Sequence, residues 1–111
     1  MLDLQTGKLV VYASSFASRE KRLKPVSLAA EKMASLLKID VEVKRLRRNF
    51  MPIYVYYKQG DEDPIPLYWN NGQKSNVDDV YATLRSMIFV LSFHPKHSAL
   101  RYVRKEIIKS Y

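Results

Sequence analysis

The sequence predicts a small α+β domain built on a four-stranded mixed sheet, and three observations carry that expectation. The first is Phe50–Trp69 (FMPIYVYYKQGDEDPIPLYW), which reads as a β-hairpin. Its strands, Ile53–Lys58 and Ile65–Trp69, are rich in β-branched and aromatic residues and flank a turn of Gly60, Asp61, Glu62 and Asp63. The second is a pair of earlier strand patterns with a helical stretch between them. The third is the chain after Asn76, where apolar residues recur at helical spacing almost to the end. A length of 111 residues suits one domain spanning 1–111.

Taken in order, residues 1–7 are a lead-in and Lys8–Ala13 (KLVVYA) is an apolar run typical of a largely buried strand. Ser14–Lys24 reads as a loop. Pro25 suits the first helical position, where a missing N–H costs nothing, and the helix should reach about Lys38. Val26, Ala29, Ala30, Met33, Leu36 and Leu37 supply its apolar side. Ile39–Lys44 (IDVEVK) alternates, with Ile39, Val41 and Val43 inward, as a half-exposed strand does. Arg45–Asn49 is a basic link into the hairpin.

Within the hairpin, alternation places Ile53, Val55, Tyr57, Ile65, Leu67 and Trp69 on a core face and Tyr54, Tyr56, Lys58 and Tyr68 on the other. After a turn around Gly72, Ser75 or Asn76 can cap a helix whose first turn holds Asp78 and Asp79. Its stripe is Val77, Val80, Tyr81, Leu84, Met87, Ile88 and Leu91, widened by Phe89, Val90 and Phe93, and Pro95 should end it. Ser98–Ser110 forms the last helix, with Leu100, Val103 and Ile107 inward. The order β-α-β-β-β-α-α resembles the thioredoxin-like core, a β-α-β unit followed by β-β-α. In that likeness Tyr12–Ser18 (YASSFAS) occupies the place of the redox motif with serines instead of cysteines, which implies no thiol chemistry.

Composition narrows the function further. The chain has no cysteine, which excludes disulfides, thiolate catalysis and cysteine-based metal sites. No apolar run approaches the ~18 residues of a membrane span. The opening MLDLQTGK lacks the basic and apolar regions of a signal peptide, so an intracellular, cytoplasmic protein is expected. Net charge is +8, and thirteen of the nineteen basic residues fall in three groups: Arg19–Lys24, Lys44–Arg48 and Lys96–Lys109. Only Glu20 and Glu106 interrupt them, whereas Asp61–Asp63 gathers acids at the hairpin tip. Segregated positive charge points to a polyanionic partner.

The candidate site is the hairpin face of Tyr54, Tyr56, Tyr68 and Lys58, extended by Lys44 and Tyr12 or Val10 from neighbouring strands. Sheet-borne aromatic rings stack bases while basic groups follow the backbone. Lys44, Arg45, Arg47 and Arg48 (KRLRR) lie at a strand end where they can reach phosphate. The competing account is that a helix or a second subunit covers the tyrosines, and that the basic link is a solvated loop. His94 and His97 lack further ligands, so no metal or cofactor is expected. Nor does any nucleophile–base pair or glycine-rich phosphate loop suggest an enzyme. The apolar surplus at Phe89, Val90 and Phe93 suits a homodimer interface.

In general character, a compact sheet-and-helix body with aromatic and basic groups, the chain resembles the small archaeal ThermoDBP-type single-stranded-DNA-binding proteins. The likeness is one of character rather than motif. The expectation is therefore a nucleic-acid-binding protein, single-stranded DNA or RNA before duplex. The alternatives are an assembly subunit, or a redox-inactive thioredoxin-like domain touching peptides near Pro64 and Pro66.

Overall fold

A computed structural model describes residues 7–15, 20–47, 52–60, 62–71, 75–94 and 100–110. The elements run β1 (Lys8–Ser14), α1 (Glu20–Leu37), β2 (Asp40–Leu46), β3 (Ile53–Lys58), β4 (Ile65–Asn70), α2 (Val77–Leu91) and α3 (Arg101–Lys109). The strands form one mixed sheet in the order β2-β1-β3-β4. β1 and β2 are parallel, as the helical crossover between them requires, while β3 runs antiparallel to both β1 and β4. The α+β class and the order of elements are those expected from the sequence.

Helix α1 starts five residues before the expected proline, and Pro25 lies inside it. Glu20–Lys24 are mostly strong helix formers, and Leu23 extends the stripe of Val26, Ala30, Met33 and Leu37, all buried. Burial of that extra turn outweighs the one backbone hydrogen bond that Pro25 cannot make. The helix closes on Lys38, whose φ of 59° is left-handed. Lys38 N–H donates to Ser35 C=O at 3.3 Å and Ile39 N–H to Ala34 C=O at 2.9 Å, the two bonds of a Schellman ending.

Asn76 caps α2, its side chain accepting from Asp79 N–H at 2.8 Å. The helix ends at Leu91, ahead of Pro95, which lies outside the described residues. Arg104 of α3 closes that end: its Nε donates to Ser92 Oγ at 3.2 Å, its Nη2 to Ser92 C=O, and its guanidinium lies 4.0 Å from the Phe93 ring centre. Lys32 of α1 lies 4.5 Å from the centre of the Tyr81 ring of α2 and joins the two helices, and Arg85 of α2 lies 5.8 Å from the same centre.

All three helices pack on one face of the sheet. The core joins Leu9, Val11 and Ala13 of β1, Val55 and Tyr57 of β3, the α1 stripe, Val80, Leu84 and Ile88 of α2, and Leu100, Val103 and Ile107 at α3. Tyr57 shows how tight it is. A Cβ on Gly7 would lie 2.2 Å from the Tyr57 hydroxyl, so glycine is what lets the ring pass. That hydroxyl donates to Gln59 Oε1 at 2.8 Å. Among the described residues no helix lies on the opposite face, and that face carries the candidate site.

Candidate functional site

Register identifies the residues on the open face. Lys8, Val10, Tyr12 and Ser14 of β1 stand beside Asp40, Glu42, Lys44 and Leu46 of β2. On the other side they stand beside Lys58, Tyr56 and Tyr54 of β3. Tyr12 and Tyr56 meet edge to face with ring centres 5.6 Å apart, and Tyr54 lies 6.0 Å from Tyr56 at a shallow tilt. Lys44 Nζ sits 5.8 Å from the Tyr12 ring centre. Tyr12, Tyr54 and Tyr56, with Leu46 and Pro64, line an open depression of about 430 Å³. The tyrosines thus form a connected aromatic floor with a lysine at its margin.

Strand β4 departs from the expected alternation. Tyr56 pairs with Pro66 but Val55 with Tyr68, so Leu67 is an extra residue and the strand bulges. Leu67 and Tyr68 both turn toward the helices, and the phase reverses beyond them. Tyr68, expected on the aromatic face, packs against the core, and its hydroxyl accepts from Asn70 Nδ2 at 3.1 Å. Trp69, expected in the core, stands opposite Tyr54 and is 59% exposed. The bulge adds one residue to β4, and a one-residue slip moves every later side chain to the other face. The proline inside an otherwise regular strand pattern was the available signal.

The basic residues divide. Lys44 and Lys58 lie on the open face, where Lys58 Nζ donates to the Glu62 carbonyl and ties down the hairpin tip. Lys8 joins them in an exposed ion pair with Glu42 at 2.6 Å. Its hydrogen bond to Glu42 raises the Lys8 pKa, and the same bond lowers that of Glu42. Arg45 pairs in register with buried Ala13 and so belongs to the helix side. There it lines a separate cleft of about 360 Å³ with Lys21, Lys24, Ser27 and Leu28 of α1. Arg47 is exposed just beyond β2, and Arg48 lies outside the described residues. The KRLRR segment is therefore split between two faces because side chains alternate along a strand.

Elsewhere, Phe89 is half-buried and stacks edge to face on Phe93 at 5.1 Å. Val90 and Phe93 are 62% and 54% exposed. No described helix is long and apolar enough to cross a membrane. Among the described residues no three His, Asp or Glu side chains gather to hold a metal ion; His97 and Asp61 lie outside them. What the fold and site define is an α+β domain in which, among the described residues, one sheet face carries no helix and is floored by aromatic rings, with Val10 and Ser14 of that face buried. No protein-family model, curated protein or solved structure matches the chain.

Proposed function

We propose that the open sheet face binds single-stranded nucleic acid. Trp69, Tyr54, Tyr56 and Tyr12 stack bases, and Lys44, Lys58, Lys8 and Arg47 meet phosphates. The observation that carries this reading is Trp69, more than half exposed beside Tyr54 on a face with no described helix over it. A large aromatic surface held in water is costly to keep unless a ligand uses it. Flat rings with flanking cations suit bases on a phosphate backbone better than they suit an apolar ligand. The net charge of +8 favours the same class of ligand. Stacking on a sheet requires unpaired bases, which is why single strands are preferred over duplex.

A protein partner is the second reading, supported by the exposed Val90 and Phe93 at the end of α2. Fluorescence anisotropy with a labelled single-stranded oligonucleotide separates the two. The expected result is micromolar or tighter binding that weakens steeply between about 50 and 200 mM salt and drops in a Tyr54→Ala/Tyr56→Ala variant. Salt-sensitive binding indifferent to the tyrosines would reduce the face to a basic surface. No binding at low salt would leave the protein-partner reading.

A further inference from the structure

The two edges of the sheet are built differently. At β4 the ladder is broken by the bulge at Leu67, and Pro66 offers no N–H to a further strand, so little regular backbone is available there. At β2 the pairing with β1 is unbroken from Asp40 to Leu46, with no bulge and no proline. Among the described residues no strand lies beyond it. Leu46 C=O accepts from Ser15 N–H at 2.8 Å, so Leu46 directs its backbone groups toward β1. By alternation Lys44 and Glu42 do the same, while Val41 and Val43 direct theirs outward. Val43 is also a large apolar residue left 37% exposed.

We propose that the protein pairs with a second copy of itself through β2, antiparallel and two-fold symmetric about Val43. The strand sequence, DVEVKRL, is suited to that register. Rotation about Val43 sets Glu42 opposite the partner's Lys44 and Lys44 opposite the partner's Glu42. Both pairs lie on the open face, at non-hydrogen-bonded positions where side chains come closest. The two Val43 residues meet as a hydrogen-bonded pair at the axis. Centring on Glu42 or on Lys44 instead would set like charges face to face, so the charges select one register and penalise its neighbours. A lysine on an edge strand ordinarily discourages pairing. Here the Val43-centred register is the one that neutralises it.

Glu42 already bonds Lys8 within its own chain, and its carboxylate has acceptor capacity for the partner's Lys44 as well. The dimer is an eight-stranded sheet that carries both aromatic floors on one continuous surface. The two β1 strands then lie about 14 Å apart, three strand spacings.

Sedimentation equilibrium of the full chain at micromolar concentration, in the absence of nucleic acid, reads this directly. Twice the mass of one chain is expected for the native protein. Lys44→Glu and Glu42→Lys should each sediment as a monomer. An equimolar mixture of the two should regain the doubled mass, because every cross-strand pair is then of opposite charge. Val43→Pro should also be monomeric with an unchanged circular dichroism spectrum, since its N–H faces away from β1. A native chain that sediments as a monomer overturns the proposal. So does a dimer that survives Lys44→Glu and Val43→Pro but dissociates on Phe93→Ser, or a charge-reversed mixture that fails to pair.

Discussion

Trp69→Ala is the most informative single change. The residue is the only tryptophan and stands more than half exposed on the open face, opposite Tyr54. Removing an exposed side chain from an edge strand forfeits little packing. The loss of its cross-strand pair with Tyr54 should cost about 0.2–1 kcal/mol of stability. The loss in binding should be larger, because one base stacked on an aromatic side chain contributes about 1–3 kcal/mol. At 1.4 kcal/mol per tenfold, that is roughly a 5- to 140-fold rise in Kd. In the native chain the indole reports on itself. Base stacking should quench its emission during titration with a single-stranded oligonucleotide, and an independent anisotropy titration should give the same midpoint. An unchanged Kd in Trp69→Ala, or native binding by anisotropy with no change in Trp69 emission, would refute the stacking geometry.

The remaining expectations concern other parts of the molecule. Tyr68→Ala should lower thermal stability and leave affinity nearly untouched, whereas Tyr54→Ala should do the reverse; an affinity loss at Tyr68 would contradict the bulge. Gly7→Ala should destabilise by about 1–3 kcal/mol by driving a methyl into the Tyr57 ring, and denaturant unfolding should show the penalty shrinking in a Tyr57→Leu background. Lys38→Gly should raise stability by up to about 1 kcal/mol, because it relieves a left-handed non-glycine residue at the end of α1. Burial, then the charge of Glu62, pushes the Tyr57 hydroxyl up to about 12. Its contribution is therefore whole below the ordinary tyrosine pKa of about 10 and is lost as pH rises through about 12. Ultraviolet titration should show a late-ionising tyrosine that disappears in Tyr57→Phe. Glu42 is shifted the other way, so the contribution of its pair with Lys8 is present above the ordinary glutamate range and is lost as pH falls through the depressed value. Carboxyl NMR should show that depression shrink in Lys8→Ala, where only Lys44 is left to lower it.

What local chemistry decides was legible in the chain itself. The β3 strand has identical ends in expectation and structure, and Tyr54 and Tyr56 face away from the core as their alternation requires. A cap at Ser75 or Asn76 and the Val80, Leu84 and Ile88 stripe follow from side-chain chemistry and helical period alone, and the structure places the cap at Asn76. The start of α1 was not legible, because Pro25 is a strong local signal that only the burial of Leu23 against the sheet could override. Nor was the final membership of the aromatic face. Whether Tyr68 or Trp69 looks outward depends on one unpaired residue in β4, and pairing with β3 determines that residue. The same holds for Arg45, which sequence places beside Lys44 but which the pleat turns to the helix side. Spacing along a chain records the period of each element. Which neighbour completes the ladder, and which face the helices pack on, are properties of elements brought together, and only the tertiary structure decided them.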